Sequence, residues 1–173
     1  MAGVLFIKIA CFRPPWLPAR LFRRCLMLAH KSMPFYWRRH YVRKHFEQPA
    51  AGGGPYGYAS RSDEYVQRKQ NSKTIRRRRI RDGGQHALVY TGASRQRILR
   101  RRGHIRAWPN RATLAMIAPR YIHMRGKGNH PSMGAEIARH RPSEIKATQK
   151  NAQTVLNKEI NAARPKARKT WVA

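Results

Sequence analysis

Four arginines in a row, Arg76, Arg77, Arg78 and Arg79, sit inside the run Lys73-Thr-Ile-Arg-Arg-Arg-Arg-Ile-Arg81. Guanidinium groups at that density hold phosphates or carboxylates through forked N–H donors, and neutralised phosphates release counterions. Four successive residues cannot share one face of a helix or strand. The run therefore reads as a loop around a polyanion or an acidic protein surface, or as a merely solvated loop. Asp82-Gly83-Gly84 closes it as a turn. A second set follows at Arg95, Arg97, Arg100, Arg101, Arg102 and Arg106. Together with Arg81 and the four consecutive arginines, these are the candidate contacts to a nucleic-acid backbone or an acidic partner.

Other constellations offer less. Asp63 and Glu64 are adjacent acids, but neighbours on a helix point apart, which suits a helix start after a Ser62 cap better than acid–base work. Gly52, Gly53 and Gly54 are not followed by a phosphate-binding G-x-x-x-x-G-K-[ST] pattern. His123 and His130 have no carboxylate or cysteine between them, so they read as loop histidines and not as metal ligands. Cys11 and Cys25 show no C-x-x-C spacing and read as reduced thiols, with a disulfide as the alternative. There is no G-x-S-x-G, H-E-x-x-H or EF-hand pattern. The expectation is a non-enzyme with no cofactor, no metal and no small-molecule substrate.

Composition sharpens this. In 173 residues, 38 lysines and arginines face 7 aspartates and glutamates, a net charge of +31. Such a chain repels itself and calls for a polyanionic or acidic partner. The length suits one domain with arms. A hydrophobic share of 41% is enough for a modest core. No apolar run reaches the roughly 18–20 residues of a membrane span, so none is expected. Ten lysines and arginines precede the first acid, Glu47. That start fits a mitochondrial transit peptide, a docking arm or an extension upstream of Met33, and all three stay open.

The elements that must position these groups fall into four stretches. Residues 1–48 are a basic, aromatic N-terminal arm and helix. Residues 49–85 are a Gly-rich and Arg-rich loop region. Residues 86–164 are an α+β core, and 165–173 a basic tail. Pro14, Pro15 and Pro18 break the arm. Leu21–Ala29 forms a short helix with Leu21, Cys25 and Leu28 on one face. Pro34 then opens a second helix over 34–47, which aligns Trp37 and Tyr41, with Val42 and Phe46 beside them. Trp37, Tyr41, Phe46, Tyr90 and Trp108 are the candidate interface anchors. Ala87–Tyr90 reads as a strand. Thr91 caps a helix over Ala93–Arg101 that turns Ile98 and Leu99 inward. His104–Trp108 and Arg111–Ala118 form a hairpin around Pro109-Asn110, ended by Pro119. Ala135–Ala138 makes a single turn. Pro142-Ser143-Glu144 opens a long helix with Ile145, Ala152, Val155, Leu156 and Ile160 along one stripe, stopped by Pro165. The fold class is α+β: a small single domain with a hairpin packed by helices.

One order of motifs is familiar. Gly57-Tyr58-Ala59-Ser60-Arg61-Ser62-x-x-Tyr65-x-x-x-Lys69 precedes Leu88-Val89-Tyr90-Thr91-Gly92-x-x-Arg95. A short two-stranded segment with Ala118-Pro119-Arg120-Tyr121 follows, then Met133-x-x-Glu136-Ile137 before the last helix. Over roughly 55–160 this resembles small tailed-bacteriophage proteins of the virion-morphogenesis or tail-completion type. The resemblance implies a structural virion protein at the head–tail junction or tail end. It would be one subunit of a homo-oligomeric ring that holds neighbouring virion proteins and the nucleic-acid backbone without sequence specificity. The alternative is an RNA-binding structural protein of a ribosome, a mitochondrial one included. Ribosomal proteins share the small domain, basic arms and scarcity of acids. A membrane-active basic protein fits worse, because the cations are not confined to one amphipathic helix.

Overall fold

A computed structural model of the chain describes residues 9, 11–50, 52–58, 60–72, 86, 88, 93–100, 103–116 and 132–164. Helix α1 spans Ala19–His40 and begins directly after Pro18, whose extended backbone closes the proline-rich stretch. It does not stop at Pro34. The sequence predicts one helix over Leu21–Ala29 and another opening at Pro34, but one 22-residue helix runs through. A proline inside a helix costs roughly 3 kcal/mol. Burial of Cys25, Ala29, Met33 and Trp37 along the same helix offsets that cost. These residues recur every fourth position, while the helix turns every 3.6 residues. Their stripe therefore winds slowly around the axis, and Leu21, one step earlier, has left the buried face and is 40% exposed.

After a break at Tyr41, α2 is a single turn over Val42–His45. Helix α3, Asp63–Gln70, starts on Ser62, whose hydroxyl accepts the Tyr65 amide at 3.3 Å. Asp63 and Glu64 occupy its first turn as expected. Helix α4 is Ala93–Arg100. Its last carbonyls, Ile98 and Leu99, accept from Arg38 Nη2 at 3.2 and 3.0 Å. A cation from α1 thus closes the negative end of α4. Ile98 is buried and Leu99 half-buried, the inward pair that the sequence predicts.

Strands β1 (His104–Trp108) and β2 (Arg111–Ala115) form an antiparallel hairpin. Ile105 faces Leu114 and Ala107 faces Ala112, the apolar side predicted from alternation. The return strand was expected to reach Ala118; it ends at Ala115, and 117–131 lie outside the described residues. The predicted strand Ala87–Tyr90 is described only at Leu88, which sits in a turn and is buried. His86 beside it makes a lone bridge with Pro49. Thr91 lies outside the described residues.

Helix α5 is Met133–Ile137, capped by Ser132, and α6 is Pro142–Ala162, opened by Pro142 as predicted. Helices α1 and α6 pack antiparallel: Met33 meets Ala152, Cys25 and Ala29 meet Leu156, and Ile9 covers both contacts. A second cluster joins Trp37, Val42, Phe46, Tyr56, Tyr58, Leu88, Ile98 and Ile137, with Leu114 and Met116 of the hairpin side against it. The fold is α+β, a small helical body with one two-stranded sheet among the described residues. Residues 19–46, grouped with the arm on sequence grounds, supply much of its core.

Gly103 turns the chain into the hairpin at φ +65°, a region that L side chains rarely adopt. A Cβ there would stand 2.7 Å from the Ala115 carbonyl oxygen. Gly103→Ala is expected to cost about 1–3 kcal/mol, read as a lowered melting temperature. A melting temperature equal to that of the parent would show that the hairpin shifts freely.

Candidate functional site

Two of the chain's few carboxyl groups are inside it. Glu144 stands in the first turn of α6 and is 2% exposed. Its Oε2 accepts the Trp37 indole N–H at 3.1 Å, and its Oε1 accepts the Tyr56 hydroxyl. One side chain thus ties α6 to α1 and to the glycine-rich loop. The His140 ring meets Trp37 edge-on at 4.6 Å, and the Arg141 guanidinium lies 5.9 Å over Tyr56. Glu136, on α5, is fully buried and holds Arg61 at 2.5 Å. Arg139 donates to the Gly57 carbonyl at 2.5 Å. The loop 52–58 can reach these partners because Gly52, Gly53, Gly54 and Gly57 all take positive φ.

Beside Glu144, the His45 Nδ1 lies 2.6 Å from the Tyr58 hydroxyl, with the Tyr56 ring 4.0 Å from the imidazole. Burial, helped by nearby His140, pushes the His45 pKa down to about 3. Burial pushes both tyrosines up, with Glu144 adding to Tyr56 and Glu136 to Tyr58. The neutral imidazole pairs through Nδ1 with the protonated Tyr58 phenol, while the Tyr56 hydroxyl is given to Glu144. His45 and Glu136 have no exposed surface and Glu144 almost none, so the cluster works as an internal clasp joining α1, α2, the glycine-rich loop, α5 and α6.

The clasp makes stability depend on pH. His45 binds a proton more readily in the unfolded chain, where its pKa is near 6.5, than in the folded one. Its contribution is complete above 6.5 and falls away as pH drops toward 3. Buried His140 is shifted in the same direction. A melting series from pH 7 to 4 is expected to show a falling midpoint, with a shallower fall in His45→Gln. Parallel curves for the two proteins would remove His45 from the explanation. Lys69, with its Nζ 3.3 Å from the His86 carbonyl, is lowered to about 8 by burial and then by Arg61. It adds stability as pH rises from 8 toward 10.5.

The surface is left basic. Glu47 and Glu64 are exposed but paired with Arg43 and Arg68 one turn away. Of the predicted contact residues, Arg97 and Arg100 are exposed on α4, Arg106 is exposed on β1, and Arg95 is half-buried. Arg76, Arg77, Arg78, Arg79, Arg81, Arg101 and Arg102 lie outside the described residues, as does Tyr90. Of the predicted anchors, Trp37 and Phe46 are interior and present no interface; their apolar surface is spent on the core. Tyr41 is half-buried, and Trp108 is half-buried with the Arg111 guanidinium 4.7 Å over its ring. Among the described residues no group of three His, Cys, Asp or Glu converges as a metal site. Cys11 is exposed and Cys25 buried, both as free thiols.

A basic, aromatic groove that the sequence did not suggest lies between α1 and α6. It has a volume of about 710 Å³, and its lining includes Phe35, Tyr36, Arg39, His40, Asn151 and Val155. The sequence places Phe35, Tyr36, Arg39 and His40 on one helix but gives no sign that α6 packs beside it to form the other wall. No described helix is long and apolar enough to cross a membrane. Comparisons with protein-family models, with curated proteins and with solved structures give no match.

Proposed function

We propose that the chain is a structural subunit of a tailed-phage virion, placed at the head–tail junction or tail end as part of a ring. Its basic surface faces DNA or acidic neighbours and holds them without reading sequence. One observation carries the reading: four of the seven carboxyl groups are withdrawn into the clasp or paired locally, Glu136 and Glu144 inside it and Glu47 and Glu64 with neighbouring arginines. Few carboxyl groups are thus left to neutralise the exposed cations of the described residues, such as Arg97, Arg100 and Arg106, as an assembly subunit needs. The order of motifs over roughly 55–160 supplies the virion setting.

The test is assembly. The purified chain, at moderate salt and with linear duplex DNA added, is expected to form closed rings in electron micrographs. It is also expected to co-sediment with capsids. A protein that stays monomeric and binds structured RNA tightly, with a steep salt dependence, would replace this reading with the ribosomal one. Arg76–Arg79→Ala would then collapse RNA binding.

A further inference from the structure

The outer side of α1 carries an apolar row at heptad spacing: Leu21, Leu28 and Phe35. Leu21 is 40% exposed and Phe35 48%, while Leu28 is half-buried. Positions seven apart stay within a narrow band of a helix surface. The row ends in the groove between α1 and α6, which Phe35 and Val155 both line. Flanking it on the solvent side are Arg24 and Lys31, both exposed, and Arg39 follows the row's end. Helix α1 contains six cations and no carboxylate.

We propose that this face docks an amphipathic helix that has an apolar heptad row and acidic flanks. The row from Leu21 to Phe35 is about 21 Å long, so two to three heptads of partner helix cover it. Leucine and phenylalanine knobs fit between the side chains of a facing helix. Acidic flanks find Arg24, Lys31 and Arg39. Glu159 of α6 lies on the Cys25 side of the row, away from Arg24 and Lys31, where burial first and this carboxylate second raise the Cys25 thiol. A second copy of α1 would set cations against cations. A nucleic acid would meet the charges but leave two leucines wet, because bases stack on flat rings. The partner is therefore an acidic helical protein. This deepens the assembly reading by naming the kind of neighbour, and it rests on that reading for its setting.

Fluorescence anisotropy of a labelled 21-residue peptide, leucine at positions a and d and glutamate at e and g, tests it on the full chain. A peptide of the same composition with scrambled leucines is the control. The amphipathic peptide is expected to bind at least tenfold tighter than the scrambled one. Leu21→Ser with Phe35→Ser should weaken it at least tenfold without changing the melting curve, since both side chains are exposed. Arg24→Glu with Lys31→Glu should weaken it similarly, and a lysine-flanked peptide should recover binding to that variant. Equal binding of both peptides would reduce the effect to charge alone and overturn the proposal. So would a single-stranded oligonucleotide whose binding is lost in Leu21→Ser with Phe35→Ser, or self-association abolished by that variant. Peptide binding reports on this face and ring formation on the assembly role, so either can fail without the other.

Discussion

Glu144→Ala is expected to lower the melting temperature by about 6–20 °C. The carboxyl group accepts from Trp37 and Tyr56 in a site with almost no exposure. Alanine leaves both donors buried and unpaired. Each costs roughly 1–3 kcal/mol, and the vacated space adds to the loss. A total of about 3–5 kcal/mol corresponds to roughly 2–4 °C per kcal/mol for a chain of this size. Glu144→Gln should lose less, because its amide oxygen still accepts one of the two bonds. Trp37→Phe removes one donor, so Trp37→Phe with Glu144→Ala should be less than additive. Thermal melts followed by circular dichroism decide it. A shift below about 3 °C for Glu144→Ala would mean that the loop and α1 are held by packing alone.

Glu136→Ala is the second large effect. It strands the Arg61 guanidinium, whose side chain is 14% exposed, beside a vacated buried site. Breaking a buried pair from one side costs about 3–5 kcal/mol, while replacing both partners with apolar groups costs far less. Arg61→Leu with Glu136→Leu is therefore expected to be more stable than Glu136→Ala by at least about 1 kcal/mol. A double variant as unstable as the single one would show that Glu136 acts through something other than Arg61.

The parts legible in the sequence are those set by neighbouring residues. Ser62 and its acids, the alternation on either side of Pro109-Asn110, and Pro142 at a helix start each carry their signal within a few positions. The continuity of α1 was not legible, because Pro34 is a local stop signal and the surface that overrides it belongs to α6. The burial of Glu136 and Glu144 was hidden for a related reason. Both sit in first turns, where the helix dipole already accounts for a carboxyl group. Their second role depends on Arg61, Tyr56 and Trp37, which lie 75, 88 and 107 positions away. The candidate surface was only partly legible: charge density marks the arginines, but not that Arg38 closes α4 while Arg24 and Lys31 face outward.

The pairing of α1 with α6 also sets a timetable for the living cell. The stripe of Cys25, Ala29 and Met33 meets partners that are translated more than 100 positions later. At roughly 5–20 residues per second, the gap between the two helices is on the order of ten seconds. During that interval α1 emerges from the exit tunnel as a sticky, cationic helix with nothing to cover it. This pairing therefore waits for α6, and a nascent chain interrupted before Pro142 is a substrate for chaperones and proteases.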